Sequence, residues 1–147
     1  MMETKKILFI VLLSLFVNME GLLGNYAFKK KIKSVCKSYR IAVESSQLSL
    51  ESDEYSINMQ SGRNNFEMFM LVGFASAGQA IAHQKEMGLA NAYTPSVISV
   101  SVSVPISKGE SNTFVANCSS EMAISLADGT MDSSEFMQQI MKKIEIL

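Results

Sequence analysis

Two long segments of the chain repeat apolar residues with helical spacing. From Tyr26 to Tyr39 the apolar positions recur every three or four residues, which is typical of an amphipathic helix. A longer helical pattern runs from about Phe66 to Met87, and Asn64 or Asn65 can cap its start. We expect the small residues in this helix, among them two glycines, to permit the close approach of another backbone. The predicted core-facing side of the long helix is Phe66, Phe69, Met70, Gly73, Phe74, Ala77 and Ile81.

Strict alternation of apolar and polar residues predicts strands elsewhere. The clearest example is Val97 to Val104, where every second residue is apolar and a serine lies between each pair. A strand from Thr113 to Cys118 follows after a turn and completes a hairpin. Two shorter alternating stretches, around 48–50 and 55–59, predict another hairpin before the long helix.

The order of these elements predicts the fold class. Phe136, Ile140, Met141 and Ile144 form a last helical stripe, which Asp132 caps. The order is then helix, β-hairpin, long helix, β-hairpin and helix. It predicts an α+β two-layer domain, with the helices on one face of a mostly antiparallel four-stranded sheet. A chain of 147 residues is sufficient for one such domain.

The N-terminus has the pattern of an export signal. Two lysines precede an unbroken apolar run from Ile7 to Val17, which is shorter than the roughly 20 residues of a spanning helix. We expect residues 1–24 to be a signal peptide or an uncleaved N-terminal anchor, and residues 25–147 to form the domain. The first case predicts a periplasmic or secreted protein, and the second a membrane-anchored one.

A basic cluster follows the apolar run. On an amphipathic helix such a cluster can rest on an anionic membrane surface, although a plain solvated helix face is the interpretation that the sequence favours. The candidates for this contact are Lys29, Lys30, Lys31, Lys33, Lys37 and Arg40.

The amino-acid composition argues against several classes of function. The formal net charge of −1 offers no global attraction for nucleic acid. A single histidine, His83, and two cysteines disfavour zinc sites and histidine-dependent catalysis. We therefore expect no cofactor and no enzymatic activity, with a carboxylate enzyme using Glu44, Asp53 or Glu54 as the remaining catalytic alternative.

Two local motifs have competing interpretations. Asp128–Phe136 resembles the second half of an EF-hand calcium loop, but Ile124 and Leu126 occupy the first and third ligand positions, so a turn and a helix cap explain it better. Cys36 and Cys118 both fall on predicted inward faces. In an oxidising compartment they are candidates for a disulfide, and two buried thiols are the alternative.

The serine ladder Ser99, Ser101 and Ser103 is the candidate partner face. If the strands share one sheet, its neighbours make the face uncharged and polar. Such a face could bind a glycan or a partner protein, whereas the simpler interpretation is the solvated side of an antiparallel sheet. We therefore expect a small exported, non-catalytic domain that acts by binding or assembly with a protein or another envelope component. The neighbours of the ladder would be Ser56, Asn58, Gln60, Thr113 and Asn117.

Overall fold

The computed structural model describes residues 23–147. The predicted signal peptide or anchor lies outside these residues, except for Leu23 and Gly24, which belong to the first helix. None of the helices in the described part has the length and apolar character needed to cross a membrane. In chain order the elements are α1 (23–38), a 3-10 turn (Ser45–Gln47), β1 (Leu48–Leu50), β2 (Glu54–Gln60), α2 (Phe66–Glu86), β3 (Val97–Ser107), β4 (Glu110–Ser119), α3 (Ser120–Asp128), α4 (Ser133–Met141) and β5 (Glu145–Ile146).

The five strands form one sheet in the order β1-β2-β3-β4-β5. The pair β2–β3 is parallel, because α2 carries the chain back to the end of the sheet where β2 began; the other three pairs are antiparallel. The predicted α+β class is confirmed. The added strand β5 pairs Ile146 with Phe114 and Glu145 with Val115. It escaped prediction because two residues are too few to show alternation.

Helix α1 packs on β2 mainly through aromatic rings. The Phe28 ring makes edge contacts with Tyr55 of β2 and with Tyr93, and both centroid separations are 4.8 Å. Phe28 and Ile32 are completely buried, as the predicted stripe requires. Tyr39, which the stripe included, is 51% exposed because the helix has already ended there.

Helix α2 packs against both the sheet and α3, and two glycines allow its close approach to each. A Cβ atom on Gly73 would lie 2.8 Å from Cγ1 of Val100 in β3. A Cβ atom on Gly78 would overlap the backbone carbonyl oxygen of Ala123 in α3. The predicted close approach of a backbone is therefore found at Gly78, whereas the neighbour of Gly73 is a side chain.

The β3–β4 hairpin is longer than predicted. Strand β3 continues to Ser107 and β4 begins at Glu110, so that the turn is Lys108–Gly109. This outer part of the hairpin is exposed on both faces, so its residues do not alternate in polarity. The Arg63 side chain, just before α2, donates a 2.9 Å hydrogen bond to the carbonyl of Ile106 and holds the hairpin there.

The helix ends follow local capping chemistry. The Asp132 side chain accepts a hydrogen bond from the Ser134 backbone N–H, which confirms the predicted cap of α4. Helix α4 ends at Met141, however, so Ile144 lies beyond it. The Asn65 cap of α2 forms no side-chain hydrogen bond.

Replacing Tyr55 by Phe tests a buried hydroxyl that has no partner. Tyr55 is completely buried, and its hydroxyl makes no hydrogen bond. We expect Tyr55→Phe to raise the free energy of unfolding by about 1 kcal/mol, because an unsatisfied buried polar group is removed. Tyr93→Phe is the matched control. The Tyr93 hydroxyl donates to the carbonyls of Glu51 and Glu54, so the loss of these hydrogen bonds should lower the free energy of unfolding by a similar amount.

Urea unfolding of both variants checks this expectation. Destabilisation by Tyr55→Phe would mean that the Tyr55 hydroxyl has a partner, such as a buried water, in solution.

A pair of neighbouring substitutions tests the facing of β3. Val102 is fully buried, whereas Ser101 points to the opposite side and is half-buried. Val102→Asp should cost about 4 kcal/mol or more because it buries an unpaired charge. Ser101→Asp should change stability by less than about 1 kcal/mol. Thermal unfolding followed by circular dichroism measures both, and equal losses would contradict this orientation.

Candidate functional site

The candidate site is the side of the sheet opposite α1 and α2. Both helices cover the other side, where Phe28 meets Tyr55 and Gly73 meets Val100. The intervening strand residues therefore point away from the helices. We call this surface the polar face; it consists of Ser49, Ser56, Asn58, Gln60, Ser99, Ser101, Ser103, Thr113, Val115 and Asn117.

Strand register arranges the polar face in rows. Ser99 of β3 lies between Ser56 of β2 and Asn117 of β4. The next two rows along the strands are Asn58–Ser101–Val115 and Gln60–Ser103–Thr113. The structure thus brings the predicted serine ladder together with all five of its predicted neighbours.

Exposure differs along the ladder. Ser99 is only 8% exposed, which corrects the expectation of a fully solvated ladder; it is a short side chain on the central strand, paired on both sides by β2 and β4. Ser101 and Ser103 are half-buried, and the Ser103 and Thr113 hydroxyls share a 2.9 Å hydrogen bond. The amide side chains of Asn58 and Asn117 are exposed on either side of the ladder. The groups that can reach a partner are therefore chiefly amides.

A groove of about 510 Å³ adjoins one end of the polar face. It exists because β1 pairs only with residues 55–57, so that the end of β2 has no strand on its outer side. The Gln47 side chain partly replaces that strand, since its amide donates a 2.8 Å hydrogen bond to the Asn58 carbonyl. The polar lining is Gln47, Asn58, Gln60 and Ser103, and the apolar lining includes Ile41, Met59 and Phe69.

The six basic residues do not form one surface. Lys33 turns toward the 3-10 turn and donates a 2.6 Å hydrogen bond to the Ser45 hydroxyl. Lys30 and Lys31 line a different groove, between α1 and the end of α2. Lys37 and Arg40 are exposed at the far end of α1, and Lys29 is half-buried. Among residues 23–147 no lysine or arginine of this group forms an ion pair.

The two cysteines are free thiols in the structure, which is the alternative to the predicted disulfide. Cys36 lies on α1 close to Tyr55 of β2, whereas Cys118 lies on β4, two strands away from β2. The described structure therefore holds them as two buried thiols on different elements and not as a bonded pair. Burial raises the pKa of both thiols, that of Cys118 to about 12, so neither is an activated nucleophile.

A buried amide that the sequence did not reveal fixes the loop after α2. Gln84 is fully buried, and its side chain accepts from the Tyr93 backbone N–H at 2.8 Å and donates to the Tyr93 carbonyl at 2.9 Å. The Tyr93 hydroxyl then reaches the β1–β2 turn. Burial and the nearby carboxylates of Glu51, Glu54 and Asp53 raise the pKa of Tyr93 to about 12, so it is not a general base.

The remaining catalytic and metal candidates are not assembled into a site. Asp53 accepts a hydrogen bond from the Ser96 hydroxyl, and Glu44 caps the 3-10 turn. Neither of them, nor Glu54, lines the groove beside the polar face, and none of them lines three further grooves between the described elements. Within residues 23–147 there is also no group of three or more metal-ligating side chains.

The segment that resembles half an EF-hand loop is a turn between α3 and α4. The Thr130 side chain and backbone N–H both donate to Asp128, and these hydrogen bonds lower the pKa of the Asp128 carboxyl. Gly129 takes the left-handed conformation, with φ 82°, that ends α3. These are the features of a helix end and a turn.

Comparison of the chain with protein families, with curated proteins and with solved structures finds no match.

Stability at alkaline pH tests the burial of Cys118. The unfolded thiol ionises near its ordinary pKa of 9, whereas the folded thiol keeps its proton until about pH 12. The folded state therefore binds more protons in this interval, and stability present below about pH 9 should be lost progressively toward pH 12. Urea unfolding between about pH 8 and 10.5 measures the slope of the free energy of unfolding against pH. Cys118→Ala should make the slope shallower, and an unchanged slope would contradict the assignment to Cys118.

Proposed function

We propose that the protein is a small exported, non-catalytic domain that binds a protein partner through its polar face. The observation that carries this proposal is the face itself. Three rows of hydroxyl and amide side chains, with Val115 as their one apolar member, cover strands β2, β3 and β4, and the register places Glu54 of β2 and Glu145 of β5 beside them on the same side of the sheet. An unbroken apolar run that follows two lysines supports export.

The chemistry of the polar face favours a polar protein surface as the partner. Serine, threonine, asparagine and glutamine side chains both donate and accept hydrogen bonds, as backbone and amide groups of a protein do. With no cation within it, the face has no attraction for the phosphates of nucleic acid. The exposed amides of Asn58 and Asn117 stand at opposite sides of the ladder and are the groups best placed to make specific contacts.

The size of the face indicates the strength of the complex. Seven paired positions along β2 and the width of four strands correspond to roughly 400 Å². Stable complexes bury about 800 Å² on each partner. We therefore infer reversible binding, unless the partner also enters the groove beside Gln47 and Gln60.

Site-specific crosslinking in the host cell tests this proposal. A photo-crosslinking amino acid is placed at Asn58 or Asn117 on the polar face. Glu121 of α3 and Gln138 of α4, both exposed on the helical side, are the matched control positions. We expect both polar-face positions to capture the same protein, identified by mass spectrometry, and the control positions not to capture it.

The captured partner then permits a quantitative check. Ser101→Arg places a long cation in the middle of the polar face and should weaken binding about tenfold or more, because that charge is desolvated without a counter-ion. Arginine in place of Glu121 should leave the affinity unchanged. Crosslinks that come mainly from the helical side, or equal affinities for both variants, would contradict the proposal.

A further inference from the structure

Exposed apolar side chains converge on one end of the domain, away from the polar face. Leu23 and Tyr26 of α1 are 54% and 63% exposed, and Met87, just after α2, is 53% exposed. All three line one groove of about 450 Å³, together with Leu89 and Ala27. Three large exposed apolar residues around one groove mark an interaction surface rather than scattered surface residues.

The structure fixes the relative position of these residues. Gly24 is buried, and a Cβ atom there would overlap the carbonyl oxygen of Asn91. The start of α1 therefore lies directly against the loop that follows α2. Leu23 and Met87 are held on the same side of the domain although they are distant in sequence.

Cations border the same groove. Lys30 and Lys31 line it, and Lys37 lies two helical turns beyond Lys30 on the same side of α1. None of the three pairs with a carboxylate in the described part of the chain. Lys85 and Glu86 at the end of α2 offset each other in charge, so the surface is positive overall. Apolar side chains bordered by lysines are typical of a surface that rests on anionic lipid.

The chain before α1 leads to this surface. The apolar run ends at Val17, six residues before Leu23, and six residues span at most about 20 Å. If the run is held in a bilayer, this end of the domain must stay within that distance of the lipid headgroups. The short connection to the apolar run and the lysines beside the groove together favour a bilayer as its partner.

We propose that the surface formed by Leu23, Tyr26, Lys30, Lys31 and Met87, the lipid-facing surface, lies on an anionic bilayer in which the uncleaved apolar run is anchored. This proposal keeps the exported domain tethered to the membrane instead of released, and it does not depend on the partner of the polar face. That face is on the other side of the sheet and is directed away from the lipid.

Fluorescence of a labelled full-length chain tests the contact. A single cysteine, labelled with an environment-sensitive NBD probe, replaces Met87 in protein reconstituted in phosphatidylcholine vesicles with about 30% phosphatidylglycerol. The native thiols are buried and do not compete for the label. Met68→Cys is the matched control, since Met68 is also exposed on α2 but lies about 28 Å away along the helix.

We expect the probe at position 87 to shift its emission to the blue and to be quenched by spin-labelled lipid, and the probe at position 68 to do neither. Position 87 is informative because the short tether from the apolar run does not itself force Met87 into contact. A probe at position 87 that remains in water overturns the proposal. A blue shift without lipid quenching also overturns it, since protein then covers the groove.

Charge reversal tests the role of the lysines. Lys30→Glu with Lys31→Glu should abolish the shift at position 87, whereas the matched pair Lys142→Glu with Lys143→Glu, exposed after α4, should not. An equal shift in vesicles without phosphatidylglycerol would overturn the preference for anionic lipid. An intact mass of the protein from its host that lacks the residues before Leu23 would overturn the anchored arrangement.

Discussion

The whole domain depends on the placement of α2 across the parallel pair β2–β3. A parallel connection requires a crossover element, and here a single 21-residue helix supplies it. Close packing of this helix against Val100 on one side and Ala123 on the other is possible only because Gly73 and Gly78 lack side chains. With α2 fixed in this way, α1 and α2 cover one side of the sheet, and the described part of the chain leaves Asn58 and Asn117 exposed on the other.

A buried side chain holds the connection from α2 to β3 by forming hydrogen bonds that a neighbouring backbone segment would otherwise form. The Gln84 amide satisfies both the N–H and the carbonyl of Tyr93, so a non-repetitive loop is locked without regular secondary structure. Tyr93 in turn contacts Phe28 of α1 and the β1–β2 turn. One buried amide thus links the position of α1 to that of the first hairpin, and a low-dielectric interior makes such a link sensitive to any change.

Sequence patterns predicted the parts of this structure that are buried on one side only. The alternation around Ser101 placed β3 and its two faces correctly, because each apolar residue there meets a helix. The same reasoning failed where both faces of a strand are exposed to solvent, as at Pro105–Ser107. It also failed where the strand is too short to show alternation, as in β5. The burial of Gln84 could not be predicted, because a polar residue in a helical pattern is ordinarily assigned to the exposed side of the helix.

The basic cluster illustrates a second limit of sequence reasoning. Six cations within twelve residues suggested one surface, but helical rotation spreads them around α1. Lys33 is occupied by Ser45, while Lys30 and Lys31 point to the groove near Met87. Local periodicity gives the direction of each side chain relative to its own helix. It does not give the neighbouring element, and only the packing of α1 against the end of α2 brings a methionine beside those lysines.

The edges of the sheet have a consequence for crowded conditions. The outer strands β1 and β5 have only three and two residues, so neither offers a long template of free backbone groups. The uncovered end of β4 is bordered by Lys142 and Lys143, whose charges repel an identical neighbour. Copies at high concentration would therefore remain separate units instead of growing into filaments through their sheets.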